Sequence, residues 1–540
     1  MAVVALETPA DAATLKSEWN RLESSNFLVY SNANDDTTRA LARELETFRQ
    51  AMGHVLPGLA PPPRQITVLV FKNSKSFRKY TLNDQNVIGA FYEGIFGGGT
   101  IALDASRSRG FATVYHEFTH YMMHETYYAV PSWLSEGFAH YCETFQINGG
   151  RVEIGQPQQA MLEVAAGGPW VSYAEILSKN ATAREKWNHS FRAQSWLLVH
   201  YLLTRQGNEY AKTRRFIALL DEGVAETDAF QIAFGLDVKG LDEVLRSYAR
   251  QGDFRNHRFP LGEFETAQEF TASEAVSADV LWQLSEIAWG RPKGLDASRR
   301  YLEEALSLNP DHVPSIVSMI SGYSRDMPLE EKIERLERAV RLDPSYAEAH
   351  LQLGWKFVQR FRNEDGEVPL PGEPTSEWIL RAREAYRNAI EADPENLMAY
   401  ADYCGTYVYD AESPEPGIRL AKKVLERSPN RFLATALVRL YSRDGNRDAA
   451  LEVYSNYIAR LATSLTEVEW ESVQKVILRA DILLADMWVR EGRVEDALEV
   501  LEEVSAKTEE EKLTKKVAAK IAQLHSQLGS ASDDSDPHRR

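Results

Sequence analysis

The chain has 540 residues, enough for more than one domain, and its 44% hydrophobic and 26% charged residues are typical of a globular protein. The formal net charge of −18 excludes a strongly basic protein and argues against nucleic acid or an anionic membrane as a partner. No apolar run is long enough for a membrane span, so none is predicted.

The sequence leaves the compartment open. The stretch Met1 to Glu7 is too short for a signal peptide and lacks its basic start, so the chain as written is expected to be soluble and cytoplasmic. A periplasmic or secreted location would require a signal peptide removed from a longer precursor. The cysteines, Cys142 and Cys404, are far apart and are predicted to be free and buried, which fits a reducing compartment.

Strands and a helix alternate in the first hundred residues. Apolar, β-branched stretches predict strands at Asn26–Ser31 and Ile66–Phe71. The amphipathic segment Asp35–Met52 between them predicts a helix capped by Asp35. Three further segments are a lead-in at residues 1–20, a rigid connector at Pro61-Pro62-Pro63, and a hairpin over Phe91–Asp104 centred on Gly97-Gly98-Gly99.

The motif His116-Glu117-Phe118-Thr119-His120 is the most informative feature of the chain. On a helix, residues i and i+4 lie one turn apart on the same face, so both imidazoles can reach one metal ion. Glu117 lies one step round the helix, where a general base must stand to take a proton from water at the metal. The pattern therefore predicts a zinc hydrolase site with His116 and His120 as ligands and Glu117 as base.

A catalytic zinc usually has a third protein ligand and one open position. The segment Pro131–Phe145 predicts a second helix, close enough in sequence to pack against the first as a hairpin. Glu136 on this helix is the preferred third ligand, and His140 is expected to lie behind the ligands and orient them. His140 and Glu143 remain alternatives as the third ligand, whereas His124 lies about 12 Å along the axis from His116, too far to share one ion.

Helices are predicted to follow this site, at Ser190–Arg205, Glu209–Leu220, Thr227–Phe234 and Leu241–Arg250. A small sheet followed by helices is an α+β pattern.

From about Ser277 the sequence becomes purely helical and repetitive. Phrases of the type Ala339-Val340-Arg341-Leu342-Asp343-Pro344 recur, and the first two of them lie at the 34-residue period of tetratricopeptide repeats. Each proline is expected to end the second helix of a repeat. About six helix pairs are predicted, with a proline-rich insertion at residues 362–377 and a disordered tail at residues 529–540.

The motif and the following Trp133-Leu134-Ser135-Glu136-Gly137-Phe138-Ala139 resemble the gluzincin metallopeptidases, in particular a bacterial peptidase MA-like family of unassigned function whose members often carry tetratricopeptide repeats. The resemblance covers roughly residues 20–255. It implies zinc ligands at His116, His120 and Glu136 and a general base at Glu117, and no other cofactor. The repeats in turn resemble the tetratricopeptide family, which implies that they bind peptides or proteins in a concave groove.

The resemblance raises two further expectations. Gluzincins usually place a tyrosine or histidine after the third ligand to stabilise the oxyanion; here Phe191 stands near that place, which leaves His189, Tyr173 and Tyr201 as candidates. Gluzincins also hold the substrate backbone on an edge strand beside the metal helix. Thr100–Leu103 is the candidate for that strand, although an ordinary hairpin would have the same sequence.

The prediction is therefore an α+β zincin-like metallopeptidase domain at residues 1–260 and an all-α tetratricopeptide-repeat solenoid at residues 270–528. The favoured function is zinc-dependent hydrolysis of a peptide or protein substrate, with the repeats docking a substrate or partner protein. Two alternatives are a repeat scaffold whose metal site is weakly active or inactive, and a metal hydrolase acting on something other than peptides.

Overall fold

A computed structural model gives the fold of the chain. It describes Leu15 and residues 18–525, apart from 57, 60–63, 82–88, 94–98, 108–110, 128–129, 178–187, 206–208, 265–269, 290, 292–293, 365–373, 411–412, most of 459–492, 508–513 and 516. The predictions for residues 1–14, for Gly97-Gly98 and for the tail at residues 529–540 lie outside the described residues. The chain forms two compact units: residues 1–179 with 183–344, and residues 345–540 with 180–182.

The first unit is built on a six-stranded mixed sheet with the strand order β4-β5-β3-β2-β1-β9. Strands β2, β3 and β5 are parallel, and the outer strands pair antiparallel. The strands of this sheet are β1 (Asn20–Glu23), β2 (Phe27–Ser31), β3 (Ile66–Phe71), β4 (Gly89–Glu93), β5 (Gly99–Asp104) and β9 (Thr271–Glu274). A second, three-stranded antiparallel sheet consists of β6 (Gln146–Asn148), β7 (Arg151–Ile154) and β8 (His257–Pro260).

Ten helices accompany these strands up to residue 251 of the described chain. They are α1 (Asp35–Val55), α2 (Ser74–Thr81), α3 (Ala112–Thr126), α4 (Ser132–Cys142), α5 (Gln159–Gly167), α6 (Tyr173–Ile176), α7 (Asn188–Arg205), α8 (Glu209–Asp221), α9 (Glu226–Phe234) and α10 (Val238–Gln251).

The predicted strands and helices of this region are confirmed in kind and nearly in extent. One cap is wrong: the side chain of Asn34 caps α1 by accepting a hydrogen bond from the Thr37 amide, at 2.8 Å, and Asp35 is already helical. The predicted edge strand is also wrong. Strand β5 lies between β3 and β4, so the edge of the sheet is β4 (Gly89–Glu93). Strand β5 is covered on one side by β4, its partner in the hairpin, and on the other by β3, so neither side of β5 is free to pair with a substrate strand.

Both faces of the central strand β3 are buried. Val68 and Val70 belong to the core that contains residues of α1 and α3, whereas Leu69 and Phe71 point to the opposite face. This alternation follows from the period of two along a strand. The sheet therefore needs a helical layer on each side.

The second face is covered by α2 and by the first two repeat helices, α11 (Ser277–Trp289) and α12 (Leu295–Leu308). Phe71 packs with Phe77 and Tyr80 of α2, and Tyr301 of α12 lies in the same cluster. The first compact unit accordingly runs to Pro344. The domain division near residues 260–270 stays a prediction, and the start of the repeat region is built into the core of the sheet unit.

The region after residue 276 consists of helices, as predicted. After α11 and α12 come α13 (Val313–Tyr323), α14 (Leu329–Leu342), α15 (Ala347–Glu364), α16 (Glu377–Ala392), α17 (Leu397–Gly405), α18 (Glu415–Arg427), α19 (Arg431–Arg443), α20 (Arg447–Val453) and, later in the chain, α21 (Val494–Lys507). The described residues contain five consecutive helix pairs, α11/α12 to α19/α20. None of the described helices has the length and apolar character that crossing a membrane requires.

The recurring prolines of the repeat phrases lie just after the ends of helices. Pro310, Pro344, Pro394 and Pro429 each stand two residues after the last residue of a second helix, where a proline cannot continue it. A Cβ on Gly354 of α15 would lie 2.3 Å from the ring of Tyr386 of α16, so this position admits only the smallest residue.

Gly137 of α4 allows a similarly close approach to α7. A Cβ at this position would lie 2.5 Å from the carbonyl oxygen of Ser195 and 2.5 Å from Cγ2 of Val199. Since a backbone oxygen cannot move aside as a side chain can, α4 would have to shift. The contact therefore sets the distance between α4 and α7 at this point.

We predict that Gly137→Ala lowers the free energy of unfolding by about 1–3 kcal/mol, the usual cost of overpacking. The matched control is Gly53→Ala on α1, where a Cβ meets nothing within 4 Å. That substitution should stabilise the protein by about 0.5–1 kcal/mol, because alanine restricts the unfolded chain. Urea unfolding followed by fluorescence measures both, and equal effects of the two substitutions would contradict the close contact.

Candidate metal site

Helices α3 and α4 form the predicted hairpin and carry the candidate ligands. The Nε2 atoms of His116 and His120, one turn apart on α3, are 3.2 Å from each other. Glu136 projects from α4 toward both: one carboxylate oxygen lies 4.0 Å from Nε2 of His116 and the other 3.9 Å from Nε2 of His120. The structure thus brings the three predicted ligands together.

His140 joins the same cluster. Its Nε2 lies 3.9 Å from Oε2 of Glu136, and its ring centroid lies 4.5 Å from that of His116. Donor atoms of His116, Glu136 and His140 lie within 4.8 Å of one another. Four side chains, rather than three, therefore converge on one small region.

Glu143 holds two of these imidazoles from behind. Its Oε2 accepts hydrogen bonds from Nδ1 of His116 at 2.7 Å and from Nδ1 of His140 at 3.1 Å. Burial alone would raise the pKa of Glu143, but these two hydrogen bonds and the nearby imidazoles outweigh it and lower the pKa to about 2. Glu143 therefore stays ionised and turns Nε2 of both rings toward Glu136.

The charges around His116 raise the pKa of its imidazole. Burial would lower the pKa of His116, but the hydrogen bond to Glu143 and the charges of Glu143, Glu117 and Glu136 raise it. His116 thus lies in a strongly negative environment, which favours a cation beside it.

His120 is oriented by another group. Its Nδ1 lies 2.7 Å from the hydroxyl oxygen of Ser135, a buried residue next to Glu136 on α4. Partners at Nδ1 fix the ring orientation of histidines that ligate metals through Nε2. No spacing or motif in the sequence singles out Ser135, because its role depends on the packing of α4 against α3.

Two buried atoms of the cluster have no hydrogen-bond partner: Oε2 of Glu136 and Nε2 of His140. Buried polar atoms are rarely left without one, because desolvation without a new bond is costly. Both orphaned atoms point to the same place, where a shared cation would satisfy them.

Glu117 is exposed on α3, beside the cluster. His124, one turn beyond His120, is also exposed, and its ring centroid lies 6.4 Å from that of His120.

The three candidates for oxyanion stabilisation have different surroundings. Tyr173 is fully buried, and its hydroxyl donates to the carbonyl oxygen of Gln194 at 2.9 Å, which is a packing role. Tyr201 stacks edge to face on Tyr248, with ring centroids 5.2 Å apart. His189 is exposed in the first turn of α7.

Arg192, which the sequence reasoning missed, is the α7 residue that reaches the cluster. Its Nε lies 3.7 Å from Oε2 of Glu136, and its side chain is 53% exposed. It directly follows Phe191, the residue at the place where a tyrosine was expected. This neighbouring position is the feature of the sequence that could have pointed to Arg192 as part of the site.

The first turn of α4 is anchored by a partly buried hydrogen bond. Nε1 of Trp133 donates to Oε1 of Glu226, the first residue of α9, at 2.7 Å. Burial raises the pKa of Glu226 to about 8, and the bond from Trp133 only partly opposes this. The carboxyl is thus mainly protonated in the folded protein at neutral pH.

This raised pKa predicts that Glu226 makes stability depend on pH. Between about pH 4.5 and 8 the unfolded chain releases this proton and the folded chain keeps it, so the free energy of unfolding falls as pH rises. Glu226→Gln keeps an oxygen for Trp133 and has no charge. It should flatten this decline and unfold at a higher temperature than the parent at pH 8.

The control is Glu222→Gln, at an exposed carboxylate four residues earlier in the chain. Thermal unfolding between pH 5 and 9 measures both. If Glu226→Gln changes the pH profile no more than the control does, the buried carboxyl is not protonated as described.

Comparison with known proteins finds a related family for the part of the chain that carries this cluster. Residues 55–251, which include the whole cluster, match the model of the peptidase MA superfamily. No curated protein matches the chain.

Several solved structures of repeat proteins are similar to parts of the chain. A tetratricopeptide-repeat protein of Thermus thermophilus is 16% identical, covers 37% of this chain and 99% of its own, and has a TM-score of 0.30. One from Parabacteroides merdae is 12% identical, covers 58% and 97%, and has a TM-score of 0.29. PilW, a type IV pilus biogenesis factor, is 15% identical, covers 45% and 98%, and has a TM-score of 0.30.

The repeat assignment itself rests on the 34-residue period, the helix pairs and the prolines that end them. The chain therefore carries a domain of the peptidase MA superfamily in front of an all-α tetratricopeptide-repeat region.

Proposed function

We propose that the protein is a zinc-dependent peptidase, with His116, His120 and Glu136 as zinc ligands and Glu117 as general base. The observation that carries the proposal is the buried, partnerless Oε2 of Glu136, on a carboxylate that lies within 4.0 Å of Nε2 of both HExxH histidines. A peptide or protein is the substrate class that fits the peptidase MA superfamily match.

The donor set fits zinc. Imidazole nitrogen and carboxylate oxygen are its usual ligands, at about 2.0–2.2 Å, so two ligand atoms on one ion lie at most about 4.3 Å apart. The separations within the predicted triad are 3.2, 3.9 and 4.0 Å. The separations to Glu136 are too long for hydrogen bonds but short enough for one ion.

Bound zinc supplies Lewis-acid chemistry, which polarises the scissile carbonyl and activates water. Glu117, exposed next to His116, takes the proton of the attacking water and delivers it to the leaving amine. Glu143 and Ser135 hold the imidazoles in the orientation that presents Nε2. The repeats would dock a substrate or partner protein.

The first test compares metal content with activity. The purified parent should contain about one zinc per chain by elemental analysis and cleave members of a peptide library. Glu117→Gln should keep the zinc and lose about 10²–10⁴-fold in kcat, because the proton acceptor is removed. Glu125→Gln, at the exposed end of the same helix, is the matched control and should keep both.

Absence of zinc from the parent, after zinc has been supplied, would refute the proposal. Full activity of Glu117→Gln would refute the mechanism while leaving the metal site intact.

A scaffold with a structural zinc site is the second candidate function, and the position of His140 favours it. Its Nε2 lies as close to Glu136 as that of His120, at 3.9 Å. Four protein ligands are typical of structural zinc sites, whereas three and an open position are typical of catalytic ones.

Removal of the orienting carboxylate should weaken metal binding in either case. We predict that Glu143→Ala lowers zinc affinity by about 10–100-fold, because both His116 and His140 lose the partner at Nδ1. Competition with a chromophoric chelator measures the affinity. The exposed Glu163→Ala on α5 should change nothing, and an equal loss in this control would show that the effect is not local.

The number of imidazoles on zinc separates the two functions. X-ray absorption of the zinc-loaded parent should show two imidazoles if the site is the proposed catalytic one, and His140→Ala should leave that number unchanged. Three imidazoles in the parent and two in His140→Ala would favour the closed, structural site.

A further inference from the structure

The second compact unit contains a cavity of about 200 Å³ among the repeat helices. Its lining is part apolar and part polar, and the side chains that can form hydrogen bonds include Trp355 and Arg362 of α15, Asp402 of α17, Thr406 and Tyr409 after α17, and Arg439 of α19. The helices around it otherwise pack through alanine and large apolar side chains. The presence of charged side chains around a cavity within such packing requires a physical explanation.

Two guanidinium groups meet on one side of the cavity. Nη2 of Arg362 and Nη2 of Arg439 donate to the hydroxyl oxygen of Tyr409, at 3.1 and 3.4 Å. Among the described residues, neither arginine has a carboxylate within ion-pair distance. Arg383 nearby differs, since it forms an ion pair with Asp410 at 3.1 Å.

Tyr409 adds a third donor at this side. Its oxygen accepts from both arginines, which leaves its own O–H free to donate. Burial would raise the pKa of Tyr409, but the charges of Arg439 and Arg362 outweigh burial and lower it. The phenol is therefore a strong hydrogen-bond donor, and the three groups together suit a carboxylate.

Asp402 also lines the cavity. Its Oδ2 accepts from Nε1 of Trp355 at 2.6 Å, and the described structure records no ion pair for it. Burial raises the pKa of Asp402 to about 6, against the opposing effects of the Trp355 bond and of both arginines. An ammonium group placed beside Asp402 would supply the missing countercharge.

Opposite charges that served only the fold would pair with each other, as Arg383 and Asp410 do. In the cavity, no ion pair of the described residues joins Asp402 to Arg362 or Arg439, although all three line it. We propose that this cavity binds a small zwitterion of the α-amino-acid class, with its carboxylate on Arg362, Arg439 and Tyr409 and its ammonium group on Asp402. The volume, below the about 300–1,000 Å³ of sites for larger ligands, limits the occupant to a small molecule.

This site does not depend on the proposed peptidase activity, although free amino acids are products of peptide hydrolysis. It also differs from the metal cluster in position, since all its lining residues belong to the second unit.

The test is isothermal titration of the full chain with a panel of free L-amino acids. At least one should bind with a stoichiometry of one per chain. Arg439→Met and Asp402→Asn should each weaken its binding about 10–100-fold, the usual effect of losing a hydrogen bond to a charged group. The matched control is Arg419→Met, an arginine of α18 whose side chain is 71% exposed, and it should bind like the parent.

Analogues with a single charge test the two halves of the site. For the amino acid that binds, the matching carboxylic acid without the amine and the amine without the carboxylate should each bind at least about 10-fold more weakly. Arg439→Lys keeps the charge and should retain part of the affinity, which guards against a folding defect in Arg439→Met.

Three outcomes would overturn the proposal. They are failure of the whole panel to bind, equal binding of the carboxylic acid lacking the amine, and binding that is insensitive to Arg439→Met but lost when metal is removed by a chelator. The last result would place the amino acid on the metal cluster instead.

Discussion

The burial of β3 on both faces is the constraint on which the organisation of this protein depends. Val68 and Val70 require one helical layer and Leu69 and Phe71 another. Helices α1 and α3 provide the first layer, and α3 thereby becomes the fixed base of the metal cluster. Helix α2 and the first repeat pair provide the second. The repeat region thus begins as part of the core of the peptidase-like unit.

Strand β9 connects the sheet to the repeat region. It pairs antiparallel with β1 at one edge of the sheet, immediately before α11. After helix α10 the chain returns to the sheet as β9, and the first repeat helix, α11, begins directly after this strand. Folding of the first repeat pair is consequently coupled to the sheet through the cluster around Phe71 and Tyr301.

The cluster and the cavity share one physical feature, which is polar groups that lack a full set of partners. At the cluster, the buried Oε2 of Glu136 and Nε2 of His140 lack hydrogen bonds although Glu143 and Ser135 hold the neighbouring rings in place. Such buried atoms cost free energy unless a ligand completes them. The groups of the cavity are less buried, since Arg362 is exposed and Arg439 and Asp402 are half-buried. There, Arg362 and Arg439 share one phenol and Asp402 has one indole, and it is the lack of ion pairs that supports a binding site.

The sequence alone determined the periodic and local features of this protein. The i and i+4 spacing of His116 and His120, the strand Ile66–Phe71 and the prolines that end the repeat helices depend on short stretches of chain, so local geometry suffices to predict them. Tertiary structure decided the rest. Ser135, His140 and Arg192 reach the metal cluster, β4 rather than β5 forms the sheet edge, and Arg362 and Arg439 meet at Tyr409, because distant segments pack together and no spacing in the sequence encodes those distances.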